Sequence, residues 1–141
     1  MVDMEIGCPF CHPLERILLQ NDTAQALLSD PRKAPGHIVV TPKRHIEKPW
    51  LLDGQELADI FSLIFRIEQK LIPALGTGCD IRQAYRPFTK QDKLKVNHLT
   101  FHIIPRYRDD YLYSVSEKFE EDVYAELDDD ERAAVIALIE Q

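Results

Sequence analysis

Five histidines and three cysteines carry most of the chemistry open to this chain, and their spacing sorts them into groups. The run Asn97-His98-Leu99-Thr100-Phe101-His102-Ile103-Ile104 alternates with period two, so side chains two apart share one face of a strand. Leu99, Phe101 and Ile103 make an apolar face suited to a core. His98, Thr100 and His102 make the other, and imidazoles there can exchange protons near neutral pH. His98 and His102 stand about 13 Å apart along a strand at ~3.3 Å per residue, too far to serve one small centre together. Cys8-Pro9-Phe10-Cys11 is a half-site for zinc, two thiolates on a tight knuckle that need two further ligands from elsewhere. With His12 the same run also fits covalent haem attachment, a chemistry of exported proteins. A CxxC redox pair would usually follow a strand at a helix N-terminus, whereas this one lies near the start of the sequence. Cys79 stands alone and reads as a buried free thiol.

These residues need elements to hold them. Ile17–Gln20 and Thr23–Leu28 flank Asn21-Asp22, a turn signal, and predict a hairpin. Ser29–Gly36 is a loop by its proline and glycine content. His37–Thr41 is β-branched, bounded by Gly36 and Pro42, and predicts a strand. Asp53 and Glu56 have the spacing of a capping box. Leu57, Ile60, Phe61, Ile64, Ile67 and Leu71 follow at helical spacing, with Pro73, Gly76 and Gly78 ending the helix. Cys79–Tyr85 is a candidate strand, Arg86–Lys95 a basic loop, and Val96–Ile104 the strongest strand signal, stopped by Pro105. Asp128-Asp129-Asp130-Glu131 starts a last helix to Ile139, its acids matching the positive end of the helix dipole. The order of elements is that of an α+β domain.

Composition narrows the function classes. The chain has 141 residues, 45% hydrophobic and 29% charged, which is globular composition and one domain's worth of length. No apolar run approaches the roughly 18 residues of a membrane span, and the acidic start, Met1–Glu5, lacks the pattern of a secretory signal. An odd number of cysteines argues for a reducing, cytoplasmic setting. The net charge is −7. Residues 109–141 hold twelve acidic and two basic side chains, a net −10 that leaves +3 on residues 1–108. The basic body suits a phosphate-bearing ligand, and the acidic tail opposes general affinity for nucleic acid.

Val96-Asn97-His98-Leu99-Thr100-Phe101-His102-Ile103-Ile104-Pro105-Arg106 resembles the signature of the histidine-triad (HIT) nucleotide-binding proteins, in which three histidines alternate with hydrophobics, often before Pro-Arg. Gly36-His37-Ile38-Val39-Val40-Thr41-Pro42-Lys43-Arg44-His45 resembles the family's other strong segment, and Cys8-Pro9-Phe10-Cys11 looks like its bacterial-type members. The resemblance covers roughly residues 8–106 and departs at one position. The family's middle histidine attacks the α-phosphorus of a nucleotide, and here that position is Thr100. Imidazole is a nucleophile when neutral and a leaving group when protonated. A threonine hydroxyl is neither, although it can donate to a phosphate oxygen. No strong base is evident for it, since His102 lies two residues on, roughly 6–7 Å along a strand.

The resemblance implies roles for other residues. His102 matches the histidine that contacts the phosphate and leaving-group oxygen, and His37 the one beside the catalytic strand. Asp30, or Ser29 at the strict register, matches the residue that binds the ribose. Gln83 is the nearest amide to the family's asparagine, and Arg106, with Arg82 and Arg86, could supply charge to a phosphate. In zinc-bearing members the partners of the two cysteines look like His45 and His98, which makes Cys8, Cys11, His45 and His98 a closed, structural Zn2+ set.

The expectation is a single HIT-like α+β domain over residues 1–141, with the signature at about 8–106 and an acidic extension at 107–141. It has a central antiparallel sheet, one long helix and a C-terminal helix, and the resemblance implies a homodimer with joined sheets. The expected ligand is a purine nucleoside monophosphate or related phosphate ester, with no nucleic acid and no membrane as partner. The chain is read as a nucleotide hydrolase or nucleotidyltransferase of weak or altered activity. The alternative is a non-catalytic nucleotide-binding or zinc-stabilised interaction module.

Overall fold

The computed structural model describes residues 8–91 and 96–140. The acidic start at residues 1–5 and the stretch 92–95 of the expected basic loop lie outside the described residues. The described chain divides into two compact units, Met1–Asp110 and Tyr111–Gln141.

The first unit is built on a five-stranded sheet. Its strands are β1 (Ile17–Gln20), β2 (Ala24–Leu28), β3 (Ile38–Pro42), β4 (Gly78–Arg82) and β5 (Phe101–Arg106), in the order β1-β2-β3-β5-β4. Every neighbouring pair is antiparallel. The hairpin over Asn21-Asp22 forms, with Asn21 Oδ1 accepting from Ala24 N at 3.0 Å. Thr23 ties that turn to the long helix, donating from N and Oγ1 to Asp59 Oδ2 at 3.1 and 2.6 Å.

Helix α1 (Gly54–Leu75) lies across one face of the sheet. Its start is the expected capping box: Asp53 accepts from Glu56 N and Glu56 accepts from Asp53 N. Its apolar stripe, Ile60, Leu63, Ile64 and Ile67, packs on Ala24, Ala26, Ile38, Val40 and Ile103. Alternation then sends Gln25, Val39, Thr41 and His102 to the opposite face, where the site lies.

The structure corrects three sequence expectations about element ends. Pro73 does not stop α1 but lies inside it. Two residues from the helix end, its missing N–H forgoes a single bond to the Gln69 carbonyl, and the stop falls at Gly76. There a Cβ would meet Arg106 O at 2.8 Å and Arg106 N at 3.2 Å, so close approach of α1 to β5 requires glycine. Strand β5 starts at Phe101, not Val96, and runs through Pro105. Pro105 lies past Ile103, the last residue paired with β3, so it faces a strand on one side only and a missing N–H is tolerated.

The second unit holds a π-helical turn (Tyr113–Glu117), a 3-10 turn (Glu120–Val123) and helix α2 (Asp129–Ile139). Asp128 caps α2 as expected, accepting from Glu131 N at 2.8 Å. Among the described residues of this unit none is buried.

Candidate functional site

On the face opposite α1, register sets Val39 of β3 and Arg82 of β4 on either side of His102. His37, buried just before β3, comes within reach: its Nε2 lies 2.8 Å from His102 Nδ1. Gly36 makes that placement possible, with φ +83 and a Cβ position only 2.6 Å from Leu75 Cδ1. The loop from Ser29 to His37 closes on itself. Ser29 N donates to His37 O at 2.9 Å, His37 N to Ala34 O at 3.1 Å, and Lys33 N to His37 Nδ1 at 3.0 Å.

That last bond fixes the protons of the whole chain. A main-chain N–H is always a donor, so His37 Nδ1 must be bare and its proton sits on Nε2. Nε2–H then donates to His102 Nδ1, which puts the His102 proton on its own Nε2. His102 Nε2 lies 3.2 Å from Thr100 Oγ1 and donates to it. Thr100 immediately precedes β5, and its side chain meets His102 in a hydrogen bond although a separation of roughly 6–7 Å was expected along a strand. His102 is thus in contact with Thr100, contrary to the sequence expectation, but as a proton donor and not as a base.

The electrostatics keep both rings neutral. Burial, then the neighbouring His102, Lys33 and Arg82, push the His37 imidazole down to about 4. Burial, Lys33 and Arg82 hold His102 below its ordinary value. A neutral donor pair near Lys33 and Arg82 is an environment for an anion, with Arg82 itself paired to Asp80 at 2.7 Å. Beside it opens a cavity of about 420 Å³. It is lined by His37, His102, Thr100, Ser29 and Asp30, so five of the expected site residues meet here. A second cavity of about 450 Å³ touches Thr100 and His102 from the side of Lys48, Tyr85 and Arg86.

Three expected residues, Arg82, Arg106 and Gln83, line neither cavity. Arg106, at the far end of β5 from His102, is engaged by Asp80 at 2.7 Å and by Asp110 at 2.7 and 3.0 Å. Gln83 follows β4 and buries its Nε2 with no hydrogen-bond partner among the described residues.

A second cluster lies nearby. Cys8, Cys11, His45 and His98 bring one ligand atom each to within 4.8 Å of one another, and the group could hold a metal ion. Cys8 Sγ is 3.4 Å and Cys11 Sγ 3.5 Å from His98 Nδ1, and Cys11 Sγ is 3.3 Å from His45 Nδ1. Tetrahedral zinc, with bonds of about 2.3 Å to sulfur and 2.0–2.1 Å to nitrogen, sets such separations near ~3.5 Å. His98 Nε2 donates to Pro42 O at 2.8 Å, which leaves Nδ1 bare for a metal. Burial lowers the His98 imidazole to about 4, favouring the same neutral form. His98 joins this cluster and His102 the other, the separation that the spacing required.

Sequence reasoning missed the supports. Gln25, buried on β2, donates from Nε2 to Phe10 O at 2.6 Å and holds the cysteine knuckle. Its signal was a lone polar side chain within the apolar Ala24–Leu28. Arg44, one residue before His45, donates to Glu56 at 3.1 and 2.7 Å and so ties the metal cluster to the cap of α1. Lys33 acts through its main chain, which no side-chain pattern reveals.

The HIT domain family matches residues 14–109. No curated protein sequence matches the chain. Among solved structures, a HIT family protein from Bacillus anthracis shares 20% identity, over 99% of this chain and 96% of that one, with a TM-score of 0.70. A HIT family hydrolase from Clostridium thermocellum shares 21%, over 76% and 96%, at 0.62. A hypothetical histidine triad nucleotide-binding protein from Sulfolobus tokodaii shares 23%, over 86% and 77%, also at 0.62. At these identities the likeness is one of fold.

Proposed function

The chain belongs to the HIT domain family, and on that premise we propose that it is a nucleotide-binding protein in which Thr100 is a phosphate anchor and not a nucleophile. The observation that carries this reading is the hydrogen-bond chain from Lys33 N through His37 and His102 to Thr100 Oγ1. Thr100 Oγ1 accepts from His102, so its own hydroxyl proton is directed outward to a phosphoryl oxygen. Within this run of hydrogen bonds no group takes that proton away, because His102 presents N–H and not a lone pair.

The ligand is a purine nucleoside monophosphate or a related phosphate ester. Its phosphate meets Thr100 and His102, with Lys33 and Arg82 supplying positive charge. Asp30, with Ser29 beside it, takes ribose hydroxyls, and a carboxylate accepting two such bonds is the stronger ligand of the two. Turnover of nucleoside phosphoramidates is slow and leaves no nucleotidyl-enzyme, since the imidazole that would form it is absent. Cys8, Cys11, His45 and His98 hold a structural zinc ion that ties the knuckle to the sheet. The chain works as a cytoplasmic homodimer, for which β1 and β4 are the open edges of the sheet.

Thermal unfolding with purine nucleoside monophosphates tests the pocket. The ligand raises Tm by mass action, and His37→Ala or His102→Ala reduces the shift. Equal shifts in wild type and both variants would move the site elsewhere. Elemental analysis tests the metal: about one zinc per chain, lost in Cys11→Ser together with about 10 °C of Tm.

A further inference from the structure

The cavity beside His37 and His102 holds two arginines that the phosphate reading above does not use. Arg16, Arg32 and Lys33 line it, against the single carboxylate of Asp30. Among the described residues no carboxylate forms an ion pair with any of the three cations. Lys33 belongs with the histidines, whose protonation it opposes. The two arginines belong to another corner. Arg32 follows Asp30 by two residues on the loop that closes on His37. Arg16 precedes Ile17, whose partner across the hairpin is Leu27, so Arg16 comes alongside Leu28 and the start of the same loop. Both thus flank Ser29 and Asp30, and both line the cavity there.

Resting on the nucleoside-phosphate reading above, we propose that this cavity takes a nucleoside with a second phosphate on its ribose, held by Arg16 and Arg32. A free ribose asks only for an acceptor such as Asp30. Guanidinium forks match phosphate oxygens in pairs. A 2′- or 3′-phosphate meets the two arginines, while Asp30 accepts from the hydroxyl that remains. The same division, an acid for a free ribose hydroxyl and an arginine for a ribose phosphate, separates the two classes of dinucleotide site.

Isothermal titration of the zinc-loaded full chain at fixed ionic strength tests this. The probes are adenosine and guanosine 5′-monophosphates, 5′-diphosphates, and 2′,5′- and 3′,5′-bisphosphates. One bisphosphate should bind about tenfold or more tightly than the monophosphate of the same base, and exceed the 5′-diphosphate. Arg16→Gln and Arg32→Gln should each pull the bisphosphate-to-monophosphate ratio toward one. Arg32→Lys should give an intermediate ratio, keeping charge and losing the fork. Bisphosphates that bind no more tightly than monophosphates would overturn the proposal and leave the nucleotide reading standing. An equal gain from the 5′-diphosphate, or a ratio that survives both Gln variants, would also overturn it. Failure of every monophosphate and bisphosphate to bind would remove both readings together.

Discussion

In the proposed reading, the side chain at Thr100 separates binding from covalent chemistry. Its hydroxyl accepts from His102 Nε2, whose proton is placed there by His37 and the Lys33 amide. Thr100→Val removes the outward donor and should weaken nucleoside monophosphate binding about tenfold, read by titration. Thr100→His should introduce measurable phosphoramidate turnover, because the phosphate contacts would then meet a competent nucleophile. Fast wild-type turnover that survives Thr100→Val would mean another route to phosphorus. The depressed His37 imidazole also has a consequence for stability. With its folded value near 4 against an ordinary 6.5, the unfolded chain takes up the proton first as pH falls. The contribution is therefore intact above about pH 6.5 and lost progressively toward pH 4. Denaturant unfolding across that window should show the fall, and His37→Asn should make it shallower, with His98 and His102, which are depressed as well, keeping their share. The sequence carried the identity of these residues but not their wiring, because the decisive donor is a main-chain N–H and Thr100 does not continue the strand.

Three elements bring the side chains together, and they differ in how plainly they are written. Helix α1 announces itself through Asp53, Glu56 and the spacing of Ile60, Ile64 and Ile67, and all of these act as their positions imply. Strand β5 shows its two faces in the alternation of Phe101, His102 and Ile103, but its ends are hidden. Pro105 reads as a breaker in isolation and is tolerated only because β3 no longer flanks it there. The loop from Ser29 to His37 shows only its prolines and Gly36. Its shape comes from three hydrogen bonds at His37, with Ser29, Lys33 and Ala34, all of them using main-chain groups that no side-chain pattern marks. Gly36 is where this element is most fragile. Gly36→Ala combines a left-handed φ with a contact at 2.6 Å on Leu75. It should cost about 1–3 kcal/mol in denaturant unfolding and weaken nucleotide binding by shifting His37. Wild-type stability and affinity in that variant would show that the loop does not hold the ring.

For the whole molecule, charge bears on what the protein can take up, and the cluster of Cys8, Cys11, His45 and His98 could hold a metal ion. The described residues include no helix long and apolar enough to cross a membrane. The cysteine half-site was visible in the sequence, whereas its completion by His45 and His98 came through resemblance, since ligands some 34 to 90 residues apart leave no local pattern. The split of charge between body and tail was plain from composition, but the turns between Tyr111 and Val123 were not, because their apolar residues follow neither period. One measurement reads metal, ligand and chemistry together: mass spectrometry of the intact protein incubated with adenosine 5′-phosphoramidate, first under native and then under denaturing conditions. The account predicts a native mass of two chains, each with zinc and bound nucleotide, and a denatured mass of the bare chain. A nucleotidyl group that stays on the denatured chain, or a native spectrum without nucleotide, would contradict it.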